Sequence, residues 1–107
     1  MPNPSTTLAL LLTASAATAA PVTLELTIQN HRLEPSILVA PAATPIELHV
    51  KNLDETAEEI ESYALNREKL VKPGKRVVIY LGPLEPGHYD LYGEDHPQTA
   101  QAVLEIR

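Results

Sequence analysis

Two stretches of the chain alternate apolar and polar side chains with a period of two residues. In "TLELTIQ", Leu24, Leu26 and Ile28 alternate with threonine, glutamate and glutamine, and "PIELHVKN" repeats the pattern. Successive side chains of a β-strand point to opposite faces, so this spacing predicts strands that bury one face. We therefore expect strands to build the core of the domain.

Three later stretches have the same character and are separated by turn-forming residues. "RVVIYLGP", "GHYDLYG" and "AVLEIR" are short and strand-like, and the turn "GPLEPG" separates the first two. Ten prolines and four glycines interrupt the chain at intervals typical of a β-sandwich. The only helical candidate, around "SYALNREKL", is interpreted as a loop with at most one turn. The sequence predicts an all-β sandwich of about seven to eight strands.

The first segment, "MPNPSTTLALLLTASAATAA", carries no charged side chain. An apolar run from Leu8 to Leu12 is followed by small residues that end in "ATAA". This order is typical of a secretory signal peptide with an A-x-A cleavage site, and the run is too short for a stable membrane span. We expect a signal peptide at residues 1–20 and one mature domain at residues 21–107, which does not span the membrane. A disordered leader is the alternative.

The composition excludes several kinds of chemistry. The chain has no cysteine, which excludes thiol nucleophiles, zinc–thiolate sites and blue copper. Fourteen carboxylates against eight basic side chains give a net charge of −6, which disfavours nucleic-acid binding. The chain contains no Gly-x-Ser-x-Gly, His-Glu-x-x-His or phosphate-binding glycine loop, so a hydrolase of a common type is not expected.

The predicted strand "GHYDLYG" ends at a residue of special interest. Its position after "EPG" gives Tyr89 the place of a sandwich corner tyrosine. Counting by twos, Tyr89, Leu91 and Gly93 share the inward face, and the residues between them face outward. Gly93 therefore takes an interior position at the end of the strand, where a metal ligand could stand.

Two segments resemble the cupredoxin family. "LEPSILVAPAATPIELHVKN" is similar to the family's conserved strand pair, and "GHYDLYGEDH" resembles its approach to the copper loop. In that loop the family has Cys-x-x-His, and here Gly93 stands at the position of the cysteine. The likeness extends from about Gln29 to Arg107. It implies a Greek-key β-sandwich with a metal site at one end.

Within the cupredoxins, the chain resembles a subgroup that has no cysteine. "TAEEIES" and "GEDHPQTAQ" are similar to motifs of the small periplasmic cupredoxin-like proteins of bacterial iron-permease systems. These proteins are in turn similar to the N-terminal domain of some imelysin-type iron-uptake proteins. The resemblance implies a periplasmic location and partners such as a periplasmic iron-binding protein, inner-membrane iron permease components and an electron-transfer membrane protein.

The resemblance also implies where metal ligands would lie. The family's first histidine is replaced by Glu58, its cysteine by Gly93, and its loop histidine is retained as His96. The axial methionine position is occupied by Gln101. In the loop before the second strand, His31 lies where cupredoxins bring residues to the same end of the barrel.

The implied ligand set is Glu58, Glu94, His96 and His31, with Gln101 in reserve. Glu94 has no counterpart among the usual copper ligands but belongs to the "GE-x-H" motif of the subgroup. Carboxylate and imidazole ligands suit Cu(II), iron and manganese, and the resemblance narrows the expectation to a copper or iron ion. The sequence leaves the choice between these two metals open.

Each of these residues has a structural alternative. Glu58 lies in the run "DETAEEIE", and such acidic runs are usually solvated loops. Glu94 could instead form a hydrogen bond to loop amides, and histidines in loops are often surface residues. On the parity of the strand, Glu59 and Glu61 are expected to face solvent rather than the site.

The leading hypothesis is a periplasmic metal-binding protein that assists iron uptake by binding or oxidising iron. Any enzymatic activity would then be the oxidation of ferrous iron within a transport system. A second hypothesis is a copper-handling or copper-storage protein without redox turnover. A third is a metal-free sandwich that serves as a protein-interaction module.

Overall fold

The computed structural model describes residues 20–107, which form two β-sheets. In spatial order, the first sheet contains β2 (Arg32–Glu34), β1 (Val22–Gln29), β4 (Ile46–Asn52) and β7 (Arg76–Leu81). The second sheet contains β3 (Ile37–Ala40), β9 (Gln101–Ile106), β8 (Gly87–Gly93), β5 (Glu58–Ser62) and β6 (Arg67–Val71). The predicted all-β sandwich is confirmed, with nine strands in this range. Apart from Ala20, the predicted signal peptide (1–20) lies outside the described residues.

The inward faces of both sheets form one apolar core. In β4 burial alternates with each residue, and Leu48 and Val50 are completely enclosed, as the period-two pattern predicts. Burying one such side chain stabilises the fold by roughly 1.5–3 kcal/mol. The buried apolar residues are Leu26, Ile28, Leu33, Leu38, Ala40, Ile46, Leu48, Val50, Ile60, Leu65, Val71, Ile79, Leu81, Leu91, Ala100, Ala102, Leu104 and Ile106.

The strand pairing brings three chain segments to one end of the sandwich, which we call the site pole. Strands β1 and β4 run parallel, with Ile28 opposite Asn52, so both end at this pole. Strands β5 and β8 are antiparallel, and Ile60 near the start of β5 pairs with Gly93 at the end of β8. The turn after β1, the β4–β5 loop and the β8–β9 loop therefore meet at the site pole.

The interpretation of "SYALNREKL" as a loop is correct for its first part and wrong for its second. A hydrogen bond from the Asn66 amide to the Tyr63 carbonyl closes a turn, and Arg67–Val71 then forms strand β6. Strand β6 pairs with β5 at the edge of the second sheet. Only Val71 of this strand is buried, so the strand lacks the alternation that would have revealed it. The part of the chain between residues 20 and 107 contains no helix that could cross a membrane.

Strand β8 has the predicted orientation. Leu91 and Gly93 are buried, and Tyr89 on the same face is half-buried, whereas His88 and Asp90 are exposed. The Tyr89 hydroxyl donates a hydrogen bond of 2.8 Å to the carbonyl of Glu85, four residues upstream. This is the bond made by a corner tyrosine, so that prediction is confirmed. It fixes the strand that leads into the site pole.

Candidate metal centre

The site pole contains a buried carboxylate. Glu58 is the first residue of β5 and shares its inward face with Ile60, and only 1% of Glu58 is exposed. An isolated buried carboxylate is strongly disfavoured, so its oxygens need partners. The Asp95 amide donates to Oε1 at 3.0 Å, and Nδ1 of His96 lies 2.6 Å from Oε2. Glu58 is therefore part of an interior polar group and not of a solvated acidic loop.

Gly93 makes room for this carboxylate. A Cβ atom at position 93 would lie 2.7 Å from Cδ of Glu58 and 2.8 Å from Cβ of Ala100, and it would overlap Oε1 of Glu58. The Glu58 side chain thus fills the space that a side chain at position 93 would need. The volume at the end of β8 is occupied by a carboxylate that arrives from the neighbouring strand β5.

A tight turn positions His96 against Glu58. The His96 amide donates to the Gly93 carbonyl at 3.2 Å, and the Ala100 amide donates to the His96 carbonyl at 2.8 Å. These bonds fold the loop over the end of the strand pair. The His96 side chain is one-third exposed while its Nδ1 points inward. The 2.6 Å separation from Glu58 Oε2 requires a proton between the two atoms.

The third member of the group is His31, in the turn between β1 and β2. Asn30 and His31 both have left-handed backbone conformations, with φ of 54° and 57°. The imidazole of His31 stacks on that of His96, with ring centroids 3.7 Å apart and planes inclined by 16°. The Thr99 hydroxyl donates a 2.6 Å hydrogen bond to the His31 carbonyl. The turn after β1 is thereby attached to the β8–β9 loop.

Asp54 stabilises this left-handed turn. Its two carboxylate oxygens accept the amides of Asn30 at 2.7 Å and of His31 at 3.0 Å. The bond from the His31 amide, with a smaller contribution from Asn30, lowers the pKa of the Asp54 carboxyl. Oδ2 of Asp54 also lies 3.6 Å from Nδ1 of His31. Asp54 therefore fixes the backbone of His31 and faces its ring.

Asn52 holds Asp54 in turn. This last residue of β4 is completely buried, and its Oδ1 accepts the Asp54 amide at 2.9 Å. Its side-chain amide donates to the carbonyls of Thr56 and Val71. Neither Asn52 nor Asp54 was predicted as a site residue. The signal that could have found them is "NLD" after a strand, because an Asx side chain bonds the backbone two residues on.

Glu58, His96 and His31 each offer one ligand atom, and these atoms lie within 4.8 Å of one another. One carboxylate with two imidazoles is a donor set that suits copper(II) and iron. Bonds of about 2.0–2.2 Å to one ion place adjacent donors about 2.9–3.4 Å apart. An ion in place of the shared proton would therefore need Nδ1 of His96 and Oε2 of Glu58 to move apart by roughly 1 Å or less. Glu58 and His96 fit such an ion, and His31 lies close enough to supply a third ligand after its ring turns.

The fourth predicted ligand, Glu94, lies in a different cluster. It follows Gly93 in the chain and points to the other side, where its carboxylate is grouped with Glu59 and Glu61 within 4.8 Å. Its amide donates to the Glu59 carbonyl at 2.9 Å. Three of the four predicted ligands are brought together, and Glu94 is not among them. The reserve ligand, Gln101, is exposed and donates to the Pro97 carbonyl.

This second group, which we call the acidic cluster, comprises Glu59, Glu61, Glu68 and Glu94. A hydrogen bond to Glu68 and partial burial raise the pKa of Glu59 to about 7. The negative charge of Glu61 raises the pKa of Glu94. Glu61 and Glu68 are directly opposite in the β5–β6 pair, where like charges repel. The carboxylates of the acidic cluster therefore repel one another on the outer face of the second sheet.

A two-sheet β-sandwich with polar loops meeting at one pole is the architecture of cupredoxin-like domains. The chain belongs to the cupredoxin-like domain family, whose model matches residues 5–105. A protein of Rickettsia prowazekii (strain Madrid E), "Uncharacterized protein RP394", is 42% identical over 80 residues. The match covers 75% of this chain and 64% of that protein, so it spans less than two thirds of the relative.

Solved structures with the same fold include copper proteins. Auracyanin A, a "blue" copper protein of Chloroflexus aurantiacus, has a TM-score of 0.72 at 14% identity, over 82% of this chain and all of that one. The metal-binding domain of the Cu(I)-exporting ATPase CopA of Streptococcus pneumoniae D39 has a TM-score of 0.73 at 11% identity, over 81% and 86%. A purple cupredoxin of Nitrosopumilus maritimus has a TM-score of 0.60 at 19% identity, over 78% and 98%. At these identities the likeness shows the fold alone.

Proposed function

We propose that this protein binds a copper or iron ion at the site pole, through Glu58 and His96 with His31 as the third ligand. The observation that carries the proposal is the buried Glu58 carboxylate, which faces the His96 ring in the space left by Gly93. Burying an ion pair is often no better for stability than burying apolar groups of the same volume. A role in holding a cation explains why the pair occupies an interior position.

The chemistry of the ligands supports an ion in a higher oxidation state. The bound ion would supply one-electron redox chemistry or a Lewis acid. The Glu58 carboxylate adds negative charge beside it, which favours the more highly charged form. Without a thiolate, the site lacks the strong covalent coupling of blue copper centres. Slow oxidation or delivery of the ion therefore suits these residues better than rapid electron exchange between proteins.

For the cellular role, we propose that the protein works in the periplasm and assists iron uptake. The resemblance of "TAEEIES" and "GEDHPQTAQ" to cysteine-less proteins of iron-permease systems supports this role, and the signal-like leader supports the location. The proposed partners are a periplasmic iron-binding protein and inner-membrane iron permease components. Cells that lack the protein should take up less radioactive iron under iron limitation. Normal uptake in such cells would contradict this role.

The proposed site is tested by titrating the protein with Cu(II) and with iron in a calorimeter. Glu58→Gln and His96→Ala should each weaken binding by more than about 100-fold, because each removes a ligand directly. Glu55→Gln is the matched control, since it removes one negative charge from an exposed residue of the β4–β5 loop, three positions before Glu58. Wild-type affinity in both site variants would exclude the site as described.

Copper handling without redox turnover is the second candidate, and the donor set favours it because Cu(II) binds such ligands most tightly among common divalent ions. Oxygen consumption with ferrous iron, measured with and without added copper, separates the two candidates. Oxygen consumption under either condition supports iron oxidation, and no consumption under both conditions supports copper handling. A melting temperature that no divalent or ferric ion changes would instead support a metal-free interaction module, because a ligand of the native state must raise stability.

A further inference from the structure

The stacked arrangement of the two histidines does not let both rings bind one ion. A ring nitrogen binds a metal through a lone pair that lies in the plane of the ring. The planes of His31 and His96 are inclined by only 16° with their centroids 3.7 Å apart. Because the two ring planes are nearly parallel, they intersect many ångströms away from the rings. An ion bonded to both rings at roughly 2 Å could not lie in both planes. One of the rings must therefore turn before both can coordinate.

Of the two rings, His31 is the one whose turn would break no hydrogen bond of its Nδ1 in residues 20–107. Nδ1 of His96 is engaged by Glu58 at 2.6 Å. Within residues 20–107, Nδ1 of His31 is enclosed but has no hydrogen-bond partner, although Oδ2 of Asp54 lies 3.6 Å away. That distance is too long for a hydrogen bond. A small rotation of the His31 ring toward Asp54 would give this buried nitrogen a partner.

The backbone of His31 is fixed on both sides of the residue. Its amide donates to Asp54 at 3.0 Å, and its carbonyl accepts the Thr99 hydroxyl at 2.6 Å. Any adjustment is therefore confined to the side-chain torsions of His31. The same Asp54 oxygen that accepts the amide of His31 also faces its ring nitrogen.

We infer that Asp54 is the positioning residue for His31. When the site is loaded, the His31 ring leaves its stack, Nδ1–H donates to Oδ2 of Asp54, and Nε2 becomes the ligand atom. A carboxylate that accepts the second N–H of a metal-bound imidazole fixes its tautomer and raises its basicity. This inference rests on the proposed function, because it specifies how one ligand of that site is oriented.

A double-mutant cycle tests whether Asp54 acts through His31. Asp54→Asn retains one acceptor oxygen, so the turn keeps part of its support, and it should weaken Cu(II) binding about 10- to 100-fold. In a His31→Ala background the same change should have less than about a 2-fold effect, because the group that Asp54 orients is already gone. Glu55→Gln again serves as the control for the loss of one charge. It should leave the Cu(II) affinity unchanged in both the wild-type and the His31→Ala background.

The ring nitrogen is identified by NMR with Zn(II), a diamagnetic ion that accepts the same nitrogen and oxygen ligands. In the loaded protein, ring ¹⁵N shifts of His31 should show a protonated Nδ1 and a metal-bound Nε2. In Asp54→Asn this single tautomer should be lost or mixed. A metal-bound Nδ1 in the wild-type protein would overturn the inference.

The possible outcomes separate the inference from the proposed function. An equal loss of Cu(II) affinity on Asp54→Asn in both backgrounds would mean that Asp54 supports the pole in general, and the inference would fail. No loss in the wild-type background would overturn it as well. In both cases the proposed site would stand if Glu58→Gln abolishes binding. Absence of Cu(II), iron and Zn(II) binding by the wild-type protein would overturn the two together.

Discussion

The carboxylate of Glu58 and the missing side chain of Gly93 are two parts of one arrangement. A Cβ atom at position 93 would stand 2.7 Å from Cδ of Glu58, and the two residues belong to paired strands. The oxygen atoms cannot move away easily, because the Asp95 amide and the His96 ring hold them. Any side chain at position 93 must therefore displace the carboxylate or spread the strands.

Gly93→Ala should lower the free energy of unfolding by about 1–3 kcal/mol, the range for adding volume to a packed interior. It should also weaken Cu(II) binding, because Glu58 is displaced. The matched control is Gly82→Ala, since a Cβ at position 82 has no atom within 4 Å and should change stability by less than about 0.5 kcal/mol. Urea denaturation of the three proteins measures the difference. Equal stability of the two variants would contradict the tight fit.

Loading of the site should release a proton. The 2.6 Å contact between His96 and Glu58 holds one proton, and an ion that takes both atoms must displace it. Cu(II) affinity should therefore fall as the pH is lowered, by up to about tenfold per pH unit. Calorimetric titration in two buffers of different ionisation enthalpy should give roughly one proton released per ion. Binding heats that are independent of the buffer would show that the pair is not the site.

The acidic cluster should make stability depend on pH near neutrality. The pKa of Glu59 is raised from 4.5 to about 7, chiefly by its hydrogen bond to Glu68, so the folded protein binds this proton more tightly than the unfolded chain. The contribution of Glu59 to the free energy of unfolding is therefore fully present below about pH 4.5 and is lost as the pH rises through about 7. Relative to Glu59→Gln, the wild-type protein should gain stability as the pH falls from 7.5 to 4.5, in proportion to this proton uptake.

Thermal denaturation across that pH range measures this contribution, with Glu55→Gln as the control for the loss of one charge. The difference between wild type and Glu55→Gln should not follow the same pH profile, because Glu55 lies outside the acidic cluster. A difference between wild type and Glu59→Gln that stays constant with pH would show that Glu59 does not take up a proton on folding.

The sequence predicts the fold well where alternation is strong. In β4 every second residue is buried, and in β8 Leu91 and Gly93 are buried with half-buried Tyr89 on the same face, so periodicity gives these strands and their orientation. Strand β6 was missed because it forms by pairing of its backbone with β5, and only Val71 among its side chains enters the core. An edge strand of this kind leaves little trace in the order of apolar residues.

The candidate site was predictable in part. Parity along β5 and family resemblance both indicate Glu58, and the loop motif indicates His96. Glu94 lies in the turn that follows β8, so the alternation along the strand did not predict which way its carboxylate points. Asp54 was hidden because it lies in the acidic run "DETAEEIE", and its function depends on a turn 23 residues away in the chain. Contacts of that range follow from strand pairing and not from local sequence.

The hydrogen bonds from Asp54 and Thr99 to the His31 backbone tie three separate loops to one another. Because the protein itself supplies these hydrogen bonds, the three loops of the site pole are connected to one another without the help of a bound ion. At the proposed site, uptake or release of an ion would then need only a turn of the His31 ring, without folding or unfolding of the chain.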